Sequence, residues 1–157
     1  MKCIKVLSLL VVLIAVSGCG KFDVMNRPTP DLLQAEQVCI VNNPETREGF
    51  QAAVGNWLTK ENINYQVVPA GSKNSACDWV LRYYGFWSWD VALFLSDAEI
   101  TAYHDGMETG EVKLRVGQWD AYKFESGEKR ISKMMDMLSG KVDHYVLAKP
   151  KRKVEAK

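Results

Sequence analysis

The sequence has little of what metal sites and hydrolytic active sites are built from. Only two histidines, His104 and His144, occur among its 157 residues, and no His-x-x-x-His or Cys-x-x-Cys spacing is present. A Gly-x-Ser-x-Gly segment and a glycine-rich phosphate loop are also absent. We therefore expect no catalytic residue, no metal site and no cofactor, and we interpret the protein as a non-enzyme.

A desolvated pair of carboxylates, the other common acid–base arrangement, is also not indicated. Asp90, Asp97 and Glu99 are close in sequence, but they lie around a predicted hairpin where water reaches them. His104 precedes the turn residues Asp105-Gly106, where a histidine is usually solvated. These residues are predicted to be ordinary surface groups.

The chain lacks a strong net charge, with 20 Lys and Arg against 19 Asp and Glu. This balance excludes a general binder of nucleic acid. One segment, residues 149–157, carries a strong excess of basic over acidic residues. It is either a solvated tail or a contact for an anionic lipid or polymer, and its charged residues are Lys149, Lys151, Arg152, Lys153, Glu155 and Lys157.

The longest apolar run, Val6–Val16, is eleven residues long, shorter than the roughly 20 residues a membrane-spanning helix needs. It follows Lys2 and Lys5, and small residues then lead to a cysteine, an arrangement typical of a secretory signal. The motif Val16-Ser17-Gly18-Cys19 resembles the lipobox of bacterial lipoprotein signal peptides, with Val16 where leucine is commonest.

This resemblance implies that residues 1–18 are removed and that Cys19 receives a diacylglyceryl group and an N-terminal acyl chain such as palmitate. Acyl chains on Cys19 would then hold the protein on a membrane. Gly20 stands where Asp would retain an enterobacterial lipoprotein in the inner membrane, so the resemblance favours the outer membrane with the domain in the periplasm. The alternative is an ordinary signal cut near Gly18 or Gly20, which leaves a soluble periplasmic or secreted protein.

Removal of the first 18 of 157 residues leaves 139, which is enough for one domain with its own core. We predict a lipidated tether over residues 19–36, a single domain over 37–148 and the basic tail over 149–157. Cys39 and Cys77 remain as a pair in an oxidising compartment, where they can form a disulfide. The alternative is two separate buried thiols.

Periodicity predicts an α+β domain with the element order β-α-β-β-β-β-α. Asn43-Pro44-Glu45 is typical of a helix start, and this helix is expected to end near Lys60. Ser126 and Gly140 bracket a second helix. Turns are predicted at Gly85, Ser96-Asp97 and Asp105-Gly106. The predicted β-rich segments are Gln37–Asn42, Ile63–Val68, Cys77–Tyr84, Trp89–Leu95, Ala98–His104 and Glu111–Val116. We expect a two-layer sandwich of a mainly antiparallel sheet with both helices on one face.

Aromatic residues are densest between Trp79 and Trp89. Strand alternation puts Trp79 and Tyr83 on one face and Tyr84 on the other, so one helix-covered face cannot bury every ring. The cluster is either core or a binding patch, and the candidate partner-binding residues are Tyr84, Trp87 and Trp89.

The size and layout of the body resemble small envelope lipoproteins of Gram-negative bacteria. From this we predict an outer-membrane lipoprotein whose periplasmic domain binds another envelope component without catalysis. The alternatives are an accessory lipoprotein subunit of a transport or assembly machine and, from another class, a periplasmic hydrolase.

Overall fold

The computed structural model describes residues 22–117, 120 and 122–145. In this part of the chain, a six-stranded mixed sheet carries two α-helices on one face, which confirms the predicted α+β fold. The predicted signal at residues 1–18, Cys19 and the basic tail at 149–157 lie outside the described residues.

The strands are β1 Asp23–Arg27, β2 Gln37–Val41, β3 Asn64–Val68, β4 Trp79–Asp90, β5 Ala92–His104 and β6 Met107–Arg115. The helices are α1 Glu48–Lys60 and α2 Gly127–Leu138, and a short 3₁₀ helix covers Pro30–Gln34. Across the sheet the strand order is β1-β6-β5-β4-β2-β3. β2 pairs in parallel with β3 and β4, whereas the pairs β1–β6, β6–β5 and β5–β4 are antiparallel. From β2 onward the element order is the predicted β-α-β-β-β-β-α, but the predicted segment Trp89–Leu95 is divided between β4 and β5 and is not a separate strand.

The segment predicted as a tether, residues 19–36, is part of the fold from Asp23 onward. β1 pairs along its whole length with β6, and the 3₁₀ helix buries Leu32 completely. The amide of Thr29 donates a hydrogen bond to the carbonyl of Leu138 at 2.7 Å. The tether prediction is wrong over this stretch, because a five-residue edge strand is stabilised by a partner distant in sequence and carries little local pattern.

The β4–β5 hairpin is longer than predicted. Its pairing runs from Trp79 opposite His104 to Asp90 opposite Ala92. The predicted turns at Gly85 and Ser96-Asp97 are therefore wrong, since both lie inside strands. A β-bulge near Phe86 and Trp87 interrupts the register. Ser96, which belongs to the predicted turn Ser96-Asp97, is the extra residue that this bulge accommodates.

Gly85 is required by packing rather than by a turn. A Cβ atom at this position would lie 2.6 Å from the ring of Phe50. The predicted turn at Asp105-Gly106 is confirmed, because both residues have positive φ angles, 51° and 79°, as a two-residue type I′ hairpin turn requires.

Helix α2 follows the prediction, with the Ser126 side chain accepting a hydrogen bond from the amide of Lys129. Helix α1 ends at Lys60 as expected but begins only at Glu48. Asn43 does not cap it: its side-chain oxygen accepts from the amide of Glu45, and its side-chain nitrogen donates to the carbonyl of Tyr83 at 2.9 Å. The predicted helix start is instead a turn fastened to β4.

The main core lies between the helices and the inner sheet face, and it includes Ile40, Leu81, Ile100 and Met134. A smaller cluster on the opposite face contains Cys39 and Val80. There the predicted disulfide between Cys39 and Cys77 is present, with Cα atoms 6.0 Å apart.

Candidate functional site

The structure separates the three aromatic residues that the sequence singles out. Trp87 is half-buried and packs against the core, whereas Trp89 is 73% exposed at the end of the hairpin. Tyr84 is exposed on the sheet face opposite the helices, which we call the open face. Three different environments therefore replace the single patch suggested by sequence proximity.

Trp87 occupies the boundary between the hairpin and the helical layer. Its ring meets that of Phe50 edge-on, with centroids 6.3 Å apart. The Arg47 guanidinium lies 5.7 Å above the indole, a distance suited to a cation–π contact. Trp87 is thus held in place by the domain itself.

An open cavity of about 1080 Å³ lies between the outer part of the hairpin and the N-terminal segment. Its aromatic lining comes from Phe22, Phe86, Trp87, Trp89 and Phe94, and its charged lining from Asp23, Asp97 and Arg115. Cavities of this size with apolar walls and a few polar groups are where ligands and partners commonly bind. Sequence reasoning missed Phe22 and Phe94, since their approach to the hairpin depends on long-range pairing.

Hydrogen bonds at the bulge hold in place the part of the hairpin that lines this cavity. The Ser88 hydroxyl donates to the Ser96 hydroxyl at 2.9 Å, and Ser96 donates to the carbonyl of Phe86 at 3.1 Å. Ser96 is buried, so these bonds satisfy polar groups that the irregular pairing would leave without partners. The bulge is a defined element of the hairpin.

The end of the hairpin is apolar and exposed. Trp89 faces Leu93 across the two strands, and Val91 alone connects Asp90 to Ala92. Val91 is 86% exposed and has a φ angle of 60°. A β-branched residue in this region is a conformational outlier that costs about 1–3 kcal/mol. Strain of this kind concentrates at functional sites.

A segment after β6 packs against this end of the hairpin. The ring of Phe124, half-exposed, meets that of Phe94 edge-on at 6.5 Å. Lys123 forms an ion pair with Asp90 and lies 5.1 Å over the Phe124 ring. We call Trp89, Val91, Leu93 and Phe124, the four large exposed apolar residues here, the hairpin tip.

A buried arginine holds that segment in place. Arg130 on α2 is fully buried and donates to the carbonyl oxygens of Tyr122 and Glu125. Burial lowers the pKa of Arg130 from its ordinary value. The Tyr145 hydroxyl donates to the carboxylate of Glu125 at 2.9 Å. Burial, with the Glu125 charge in support, raises the pKa of Tyr145.

The open face carries cross-strand ion pairs. Arg115 Nε lies 3.1 Å from Asp97, and Lys113 Nζ lies 3.3 Å from Glu99 and 3.0 Å from Glu111. The hydrogen bond to Glu111 is the largest cause that raises the pKa of Lys113; desolvation opposes it, and the hydrogen bond to Glu99 adds to the rise. Opposite charges therefore alternate along this face.

Two exposed aromatic residues border these charges. Register places Tyr84 opposite Glu99 and Phe86 opposite Asp97. A second cavity of about 350 Å³ includes Tyr84, Glu99 and Lys113, and it shares Asp97 and Arg115 with the larger one. The two cavities form one continuous surface of aromatic rings and paired charges.

The acidic residues near the hairpin are each paired rather than simply solvated. Asp90 pairs with Lys123, Asp97 with Arg115 and Glu99 with Lys113. The prediction of ordinary solvated acids missed these pairs, because their partners come from the strand β6 and from the segment that follows it.

His104 stacks on Trp79, with ring centroids 4.3 Å apart and planes 9° apart. Its Nε2 lies 3.9 Å from Asp105. It also lines an open cavity of about 550 Å³ with Asp78 and Cys77, whose sulfur is bound in the disulfide. His144 is exposed beside Asp143 and lowers the pKa of that carboxyl mainly by a hydrogen bond.

Within residues 22–117, 120 and 122–145, no group of three or more His, Cys, Asp or Glu side chains is arranged to hold a metal ion. Over the same residues, no helix is both long and apolar enough to cross a membrane.

Comparison with known proteins gives a likeness of fold. No family model matches the sequence, and no curated protein is similar to it. Among solved structures, a PelC dodecamer from Paraburkholderia phytofirmans has a TM-score of 0.53 at 12% identity, over 74% of this chain and 96% of its own. A point variant of that dodecamer has the same score and identity over 76% and 95%. The chain thus shares the fold of a PelC subunit.

Proposed function

We propose that this protein is an outer-membrane lipoprotein, anchored through Cys19, whose periplasmic domain binds another envelope component without catalysis. The observation that carries the proposal is the continuous surface formed by the two cavities. It offers aromatic rings from β4 and alternating charges from β5 and β6 on a rigid sheet. Aromatic anchors bordered by polar groups are typical of surfaces that bind proteins.

The lipobox resemblance supports the proposed location at the outer membrane. The described domain begins within three residues of Cys19, so an acylated chain would keep the domain close to the membrane. Three extended residues span at most about 11 Å. The binding surface would then face partners at or near the inner side of the outer membrane.

Photocrosslinking in cells tests the binding role. A benzophenone side chain is placed at Tyr84 and at Phe86, with Lys60 on the helical layer as the matched exposed control. The proposal predicts one discrete adduct of the same mass from positions 84 and 86 and none from position 60. Arg115→Glu should reduce both adducts and lower the melting temperature by only a few degrees, because an exposed ion pair contributes only about 0–1 kcal/mol and the like charge opposite Asp97 costs a similar amount.

Equal adducts from all three positions, or none from 84 and 86 in an anchored and folded protein, would contradict the binding role. Labelling with palmitate tests the anchor separately. Cys19→Ala should abolish incorporation, and label retained in that variant would contradict lipidation at Cys19.

The fold likeness favours a second candidate, a subunit of a ring-forming envelope assembly. The two PelC structures are dodecamers, and this chain would assemble in a comparable way as part of a transport or assembly machine. Light scattering of the acylated protein in detergent distinguishes the candidates. A particle of many subunits supports the assembly, and a single copy supports the simpler binding domain. The hydrolase alternative has no comparable observation in its favour.

A further inference from the structure

We propose that the hairpin tip inserts into the headgroup region of the membrane that carries the Cys19 anchor. This inference rests on the proposed lipidation and adds a second membrane contact, made by Trp89, Val91, Leu93 and Phe124. The partner is the lipid surface itself. The argument uses the composition of the tip, its position relative to Cys19 and its charge.

The composition of the tip fits a membrane interface. Trp89 and Val91 are 73% and 86% exposed, and Leu93 is the cross-strand partner of Trp89. An indole combines a large apolar body with one polar N–H group, which is why tryptophan concentrates at headgroup level. Val91 occupies a strained turn position that Gly or Asn would fill at lower cost. An apolar side chain is therefore present at the tip despite its conformational cost.

The anchor would lie near the tip. Phe22 lines the same cavity as Trp89 and Phe94, and Cys19 precedes Phe22 by three residues. That segment spans at most about 11 Å, and the headgroup layer on one side of a bilayer is about 5–8 Å thick. Acyl chains on Cys19 would therefore hold the Phe22 side of the domain near the lipid surface, and Trp89 of the hairpin tip lines the cavity on that side.

The charges at the tip permit this contact. Asp90 is the acidic residue between Ser88 and Leu95, and its carboxylate is neutralised by the ammonium of Lys123. A paired carboxylate costs less to bring into the interface than an isolated one. The open face, with its ion pairs, begins beyond Phe86 and stays in water. The domain thus has a membrane end at the hairpin tip and, adjoining it at the shared cavity, a binding face around Tyr84 and Phe86.

Tryptophan quenching by brominated lipid tests the insertion. The full acylated protein is reconstituted in phosphatidylethanolamine–phosphatidylglycerol vesicles with or without bromine on the acyl chains. We expect bromination to lower the Trp89 contribution to the emission by about twofold or more, because an interfacial indole reaches the upper acyl chains. Trp89→Phe should remove the quenched component. Trp79→Phe, at the buried far end of β4, should leave it unchanged.

A second variant guards against a general effect on the fold. Val91→Asp adds an exposed charge at the tip and should weaken the quenching of Trp89 while the circular dichroism spectrum stays unchanged. If the protein floats with the vesicles but Trp89 is not quenched, the insertion is wrong and the anchor stands. A tip buried against a second copy would give the same unquenched signal, together with a particle that dissociates in Val91→Asp, and would also overturn the proposal.

Failure of the anchor gives a different result. Protein without palmitate that does not float contradicts lipidation at Cys19. The quenching of Trp89 by added brominated vesicles then decides the tip alone, since quenching supports insertion and its absence overturns it.

Discussion

Cys39 and Cys77 are joined by a disulfide that ties the buried strand β2 to the chain just before β4, with Cα atoms 6.0 Å apart. Gln66 on the neighbouring strand β3 donates a hydrogen bond to the Cys39 sulfur at 3.1 Å. The bridge therefore reinforces the region of the sheet where the strands run parallel. Its two cysteines are 38 residues apart in the sequence.

Loss of this bridge should destabilise the domain strongly. Closing a loop of this length restricts the unfolded chain by about 4 kcal/mol on the chain-entropy model. We expect the double variant Cys39→Ala/Cys77→Ala to lose stability of that order in urea denaturation. Reducing agent should lower the stability of the native protein by a similar amount and leave the double variant unaffected. A loss below about 1 kcal/mol would show that the bridge has little influence on folding.

Truncation of Trp87 should destabilise the domain much more than truncation of Trp89. Trp87 packs on Phe50 and under Arg47, so Trp87→Ala should cost about 2–3 kcal/mol, somewhat less than a fully buried ring. Trp89→Ala removes an exposed side chain and should change stability by less than about 0.5 kcal/mol. Thermal unfolding of the two variants side by side checks this. Equal losses would contradict the division between core and exposed tip.

Val91 should be replaceable with a gain in stability. Asn tolerates a φ angle near 60° better than a β-branched residue does, so Val91→Asn should stabilise the domain by about 1 kcal/mol. The same change should weaken the contact of Trp89 with brominated lipid. Val67→Asn, at an exposed strand position, serves as the control and should not stabilise. A less stable Val91→Asn protein would show that the valine is not strained.

Alkaline pH should destabilise the protein through Tyr145. Burial raises the pKa of this phenol in the folded state, so both states keep the proton below the ordinary value of about 10, and only the unfolded state loses it above. Stability should therefore fall as pH rises past 10, by at most about 1.4 kcal/mol per pH unit and by less for a partly exposed ring. Urea denaturation at several pH values between 8 and 11 gives the unfolding free energy at each pH, and the change of this free energy with pH is the slope. Tyr145→Phe should reduce it, and an unchanged slope would contradict the assignment.

Sequence patterns were informative where local physics decides the structure. Ser126 caps α2, and Asp105-Gly106 forms the turn between β5 and β6, because capping and turn geometry depend on neighbouring residues. The predicted segment Glu111–Val116 likewise corresponds to a strand, β6, in which buried Val112 and Leu114 alternate with charged residues.

Features that depend on distant partners were not predictable from the sequence. Gly85 lies inside a strand because the Phe50 ring occupies the space above it, and nothing adjacent to Gly85 indicates this. Phe22 joins the hairpin cavity only because β1 pairs with β6. The aromatic residues that the sequence singles out do lie on one hairpin, but their separation into a supporting Trp87, an exposed Trp89 and an open face with Tyr84 depends on the fold.

The central claim, attachment of the domain to a membrane through Cys19, is tested most directly by the mass of the N-terminal peptide of protein isolated from cell membranes. The account predicts a chain that begins at Cys19 and carries a diacylglyceryl group together with an amide-linked acyl chain. An unmodified polypeptide that still begins at Met1 would contradict the anchor, the proposed location and the contact of the hairpin tip with lipid.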